Sequence, residues 1–168
     1  MKRPVLRTSV GLSVVALALG GATYAAQATT SAPASAHPTV TKLHNSDAVS
    51  RLKDSGIKVT SSGGCSDRNR SNCTSLEQVN LTTVQGAQTL KKSSKCDLTV
   101  TGGTETGHAS GTYSHWNGYK LDFHMTSCLT KYVKGHFSSI GGGKWKSSAG
   151  NVYFDEGNHW DVTFHSAG

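Results

Sequence analysis

The chain has 168 residues, 35% of them hydrophobic and 16% charged, with a formal charge of +7 and four cysteines. Length alone points to one domain once an N-terminal segment is removed. The lysines are scattered, with no basic helix and no basic run interleaved with aromatics, which argues against nucleic acid as a partner.

Residues 1–28 read as a secretory signal peptide. Lys2, Arg3 and Arg7 form a basic start, Val10 to Ala22 an apolar stretch, and Ala26-Gln27-Ala28 a small-x-small cleavage site. Ala34-Ser35-Ala36 is a second candidate site. The apolar stretch is shorter than the roughly 20 residues of a membrane span, so we expect cleavage, a secreted or wall-associated product and no membrane partner afterwards. The three basic residues leave with the leader, and the mildly basic remainder would be drawn to anionic polymers such as a bacterial wall. We expect it to be a monomer.

Residues 29–58 are read as a flexible leader. Thr29 to Pro38 is Thr, Ser, Ala and Pro, and His44 to Lys58 is polar with isolated Val49, Leu52 and Ile57, enough for a short helix. The compact domain is expected over residues 59–168. Cys65, Cys73, Cys96 and Cys128 form an even set in an exported chain, so disulfides are the default. Of three possible pairings we favour Cys65–Cys73 with Cys96–Cys128. A cysteine-bound zinc is the rival reading, but no spacing is C-x2-C.

Thr74-Ser75-Leu76-Glu77 has the form of a capping box. It predicts a helix through Leu76, Val79, Val84, Ala87 and Leu90, with a break near residues 80–82. Asp97 to Thr101 alternates and should be a strand. A glycine-rich loop from Thr104 to Gly111 follows, then a strand from Tyr119 to Met125 and a short helix over Ser127 to Val133. Gly141-Gly142-Gly143 is a turn. Val152 to Phe154 and Trp160 to Phe164 are strands about the turn Asp155 to Asn158. The class is α+β, a small antiparallel sheet with helices packed on one face.

Two stretches carry chemistry. Asn117-Gly118 is a strong turn signal; a two-residue hairpin there would pair His115 with Lys120 and set Asp122 on the same face. That diagonal spans about 7–8 Å, within reach of ligands bonding one ion at roughly 2 Å. An exposed polar hairpin is the bland alternative. In the tail, Trp160, Val162 and Phe164 share one face, and His159, Asp161 and Thr163 the other.

Ser114-His115, six residues and Asp122, followed later by Glu156-x-x-His159-Trp160, resembles the zinc D-Ala-D-Ala carboxypeptidases and dipeptidases. That family also includes L-Ala-D-Glu endopeptidases and has a hedgehog-like peptidase fold. The resemblance implies one zinc ion held by His115, Asp122 and His159, with Glu156 as general base. It implies a secreted metallopeptidase cutting peptidoglycan stem peptides or cross-links. The alternative is a secreted zinc-binding module without catalysis that recognises the wall or a partner protein. Members usually carry an arginine ahead of the first ligand, for the oxyanion; Val100 to His108 has none. His108 could donate there instead, Glu105 could grip a substrate amine, and Tyr113 and Trp116 could edge the cleft.

Overall fold

The computed structural model describes residues 40–168. The expected signal peptide (1–28) and residues 29–39 of the expected leader lie outside the described residues. Three helices, α1 (Asn45–Asp54), α2 (Leu81–Ser94) and α3 (Ser127–His136), accompany nine strands. These are β1 (Lys42–Leu43), β2 (Ile57–Val59), β3 (Val79–Asn80), β4 (Leu98–Gly102), β5 (Lys120–His124), β6 (Ser138–Gly141), β7 (Lys144–Lys146), β8 (Val152–Asp155) and β9 (His159–Thr163). Seven of them form one sheet in the order β2-β4-β5-β9-β8-β7-β6, and β1 and β3 make a separate pair. Within the large sheet only β2 and β4 run parallel; the other pairings are antiparallel. The α+β class stands, with more sheet than was expected.

Alternation decides which side of the sheet is core. Leu121 and Phe123 on β5, with Trp160 and Val162 on β9 and Phe164 just beyond it, are fully buried. They share one cluster with Ala48 and Leu52 of α1, Val84, Ala87 and Leu90 of α2, and Leu129 and Val133 of α3. The helices therefore cover that face, and α2 comes so close that a Cβ on Gly86 would meet the Phe164 ring at 2.3 Å. The opposite face of β5 and β9 carries Lys120, Asp122, His159 and Asp161 instead.

Three expectations are corrected. Residues 40–58 are not a flexible leader, since Leu43, Ala48, Leu52 and Ile57 are buried in the core and β2 pairs with β4. Alanine-poor, polar stretches such as this fold when a few apolar side chains find a partner surface.

The capping box does not start a helix. Thr74 Oγ1 donates to the Thr101 carbonyl at 2.9 Å, Gln78 takes a φ of 65°, and α2 begins only at Leu81. The Glu77 carboxylate serves α1, accepting from the Asn45 amide at 2.8 Å, and Asn45 Oδ1 accepts from the Leu76 amide in return.

Residues 114–120 do not form a hairpin either. Strand β5 is flanked by β4 and β9 on its two sides, so no edge remains for residues 114 and 115 to pair with. They fold as turns, with Gly118 N donating to His115 O at 2.7 Å and Tyr119 N to Ser114 O at 3.1 Å.

The disulfides are Cys65–Cys73 and Cys96–Cys128. The second links the end of α2 to α3. No helix among the described residues is long and apolar enough to cross a membrane.

Candidate metal centre

The site sits on the uncovered face of the sheet, where β5 and β9 place Asp122 directly opposite Asp161. Two ionised carboxylates facing across adjacent strands repel, and a nearby cation or a shared proton offsets that repulsion. Part of that compensation is Lys120, whose Nζ donates to Asp161 Oδ2 at 2.7 Å. Strand β4 makes the room: a Cβ on Gly102, the register partner of Asp122, would lie 2.3 Å from Asp122 Oδ2.

His115 reaches the carboxylates from the turn between Ser114 and Gly118. That turn is docked hard on the body, because Gly118 O accepts from Asn80 N and from Thr83 Oγ1. Gly118 has a φ of +77°, and a Cβ there would be 2.5 Å from Gln78 O, so only glycine fits. His115 Nδ1 donates to the Gly103 carbonyl at 2.6 Å, which leaves Nε2 turned to the carboxylates. Nε2 lies 3.3 Å from Asp122 Oδ1 and 3.7 Å from Asp161 Oδ2.

Two more histidines approach with one nitrogen already engaged. His159 Nδ1 pairs with Asn158 Oδ1 at 2.6 Å, and its Nε2 is 3.5 Å from Asp122 Oδ1. His108 pairs through Nε2 with Glu105 at 3.2 Å, and its Nδ1 is 3.8 Å from Asp122 Oδ2. Pinning one imidazole nitrogen while the other faces inward is how proteins fix the tautomer and direction of a metal ligand.

His115 Nε2, Asp122 Oδ1 and Asp161 Oδ1 are buried without a hydrogen-bond partner. Each such atom costs about 1–3 kcal/mol, and a cation between His115 Nε2 and Asp122 Oδ1, which lie 3.3 Å apart, would relieve two of them. His108, His115 and Asp122 each offer a ligand atom, all within 4.8 Å of one another, and could hold a metal ion. His159 shares the Asp122 oxygen with this group.

The electrostatics agree. Burial is the largest influence on His115 and works to lower its pKa, but the close Asp122 and Asp161 carboxylates favour the charged ring, outweigh it and raise the value to about 9. Burial likewise works to raise Asp161, and His115 and Lys120 overcome it, leaving the carboxyl below its ordinary value. Both shifts report a place where positive charge is favoured.

The ligand atoms open into a cavity of about 270 Å³, lined by Gly107, His108, Ala109, His115, Lys120, Asp122, Glu156, His159 and Asp161. Glu156 stands at its rim, with Oε2 3.3 Å from His159 Nε2 and a side chain 37% exposed. The four residues expected to act together, His115, Asp122, His159 and Glu156, are thus brought to one cavity.

Three other residues do not take the roles expected of them, although His108 lies in the cavity and in the group that could hold a metal ion. Glu105 does not face a substrate: it is 3% exposed, and its carboxylate accepts from Ser75 N, Gly103 N and His108. Burial works to raise its pKa, and these donors more than offset it. His108 is not a free loop donor, because its ring stacks on His115 with centroids 3.8 Å apart and planes at 16°. Tyr113 packs edge-on against Tyr119 and His165, outside the cavity lining.

Lys120 and Asp161 were missed. Each lies two residues along the strand from an expected ligand, Asp122 or His159, and period-two alternation would have found both. That β5 and β9 are neighbours was the missing information.

The fold and site define a class: an α+β protein carrying, on the open face of its sheet, a histidine–carboxylate cluster that could hold a metal ion. No protein-family model, curated protein or solved structure matches the chain.

Proposed function

We propose that the protein is a secreted zinc metallopeptidase that hydrolyses amide bonds in peptidoglycan stem peptides or cross-links, in the manner of the D-Ala-D-Ala carboxypeptidases and endopeptidases. The observation that carries this reading is the meeting of His115, Asp122 and His159 in one cavity with Glu156 beside them. Two imidazoles and one carboxylate are an accepted zinc set that leaves a coordination position open. Secretion rests on the N-terminal signal pattern and on two disulfides, which persist in oxidising compartments.

Zinc bound there would supply Lewis acidity and ease deprotonation of a water near neutral pH. The chain's own residues supply the rest. His115, fixed by Gly103, and Asp122, seated against Gly102, set the direction of the ligand bonds. Glu156 is exposed enough to meet a substrate and, with Oε2 3.3 Å from His159 Nε2, close enough to the ligand nitrogens to take a proton from a water beside them. It then returns that proton to the departing amine. The cavity is open to solvent-borne peptide at the Glu156 rim and closed at its floor by buried carboxylates.

Metal analysis with a cell-wall digestion assay on wild type and Glu156→Ala tests the reading. A peptidase holds stoichiometric zinc in both proteins and releases muropeptides only as wild type. Zinc in both with release by neither makes the protein a zinc-holding recognition module, and no zinc in either ends the proposal.

A further inference from the structure

We propose that Lys120 is the oxyanion donor of this site: its ammonium group, aimed by Asp161, hydrogen-bonds the carbonyl oxygen of the scissile amide as negative charge develops on it. This inference rests on the peptidase reading and names a catalytic residue for it. Among the described residues, Lys120 is the one lysine or arginine lining the cavity. It stands on β5 two residues before Asp122, so the two side chains share a face. Asp161 Oδ2 is the single protein acceptor for Nζ, leaving two N–H groups for another partner. The same Asp161 oxygen lies 2.7 Å from Nζ and 3.7 Å from His115 Nε2. The ammonium is therefore held one carboxylate oxygen away from His115 Nε2, in the cavity that an approaching carbonyl would enter.

The other candidates for this role are spoken for. The His108 ring lies flat on His115 with Nε2 on Glu105, and Arg68 lies over Trp116 and donates to backbone carbonyls outside the cavity. Charge counting points the same way. Asp122, Asp161 and Glu156 bring three carboxylates, which a divalent ion and one ammonium balance. The charge added in the transition state then falls on positive groups already in place, the condition under which such donors act most strongly.

In the step itself, a water oxygen bonds to the amide carbon and the carbonyl π pair moves to oxygen, where Lys120 donates a hydrogen bond without giving up its proton. Glu156 takes one proton from the water. The pair on oxygen then re-forms the double bond, the C–N bond breaks, and the amine leaves with the proton from Glu156.

The test compares zinc-loaded wild type with Lys120→Met and Lys120→Arg, using a peptide substrate and a phosphinate peptide that mimics the tetrahedral, anionic intermediate. Expected for Lys120→Met are a loss of about 10²–10³ in kcat, an unchanged KM and zinc content, and phosphinate binding weakened by a similar factor. Lys120→Arg should recover part of both losses. If Lys120→Met does not fold, Lys120→Arg and Asp161→Asn carry the comparison, and both must weaken phosphinate more than substrate. Phosphinate affinity within about twofold of wild type, or loss of zinc, overturns the assignment. If wild type binds phosphinate and cleaves peptide while Lys120→Met does the same, this inference alone fails. If zinc-loaded wild type does neither, the peptidase reading fails and takes this one with it.

Discussion

The floor and the rim of the cavity are built differently. At the floor, His115, Asp122 and Asp161 are 2%, 6% and 7% exposed, and their carriers are two central strands and a turn pinned by Gly118. At the rim, the His159 and Glu156 side chains are 26% and 37% exposed, and Glu156 belongs to the turn between β8 and β9. The contrast separates two tasks. Holding an ion needs fixed, desolvated ligands supported from behind, whereas moving a proton to and from a substrate needs a group that solvent and substrate can reach.

The largest expected effect would break that division. His115→Ala or Asp122→Ala should abolish stoichiometric metal, a loss of at least about 100-fold in affinity. Glu156→Ala should leave affinity within a few fold while removing hydrolysis. Calorimetric metal titration on the three variants checks it, and equal losses in all would erase the distinction between floor and rim.

Next is Gly102→Ala, which changes no ligand. The new methyl would press on Asp122 Oδ2, so metal affinity should fall about tenfold while the circular-dichroism spectrum stays that of wild type. Unchanged affinity would mean that the Asp122 carboxylate is not held against β4.

A pH series sharpens the floor further. His115 is raised to about 9 from an ordinary 6.5, so in metal-free protein its charge stabilises the fold fully below pH 6.5. That contribution is lost as pH rises through about 9. The linkage amounts to at most about 3 kcal/mol. Metal-free protein should therefore melt lower at pH 9.5 than at pH 6.5. Metal affinity should run the other way and increase over the same range, since the ion displaces the proton. A flat melting profile would remove the charged His115 from the account.

The smallest effect serves as the control outside both regions. Thr126 caps α3 by accepting from Leu129 N at 3.2 Å. Thr126→Ala should cost about 1 kcal/mol in a denaturation curve and leave metal affinity unaltered.

Much of the site was legible because short-range rules carry it. Six residues between His115 and Asp122, two between Glu156 and His159, and the alternation along β5 and β9 are patterns of the chain alone. The cysteine spacing likewise suggested the pairing that the structure has. Where such rules failed, a distant partner had taken the group. The Thr74 hydroxyl went to Thr101 and the Glu77 carboxylate to Asn45. The Asn117-Gly118 turn met a strand with both edges already occupied.

The amino-acid order determined the class of elements, the polar face of each site strand and the histidines and carboxylates that meet there, because these follow from periodicity and side-chain chemistry. Only the tertiary structure decided that β9 lies beside β5. That adjacency sets Asp161 against Asp122 and brings it to Lys120. Strand neighbours are chosen by which apolar faces pack together across the whole sheet, a long-range competition that no local pattern contains.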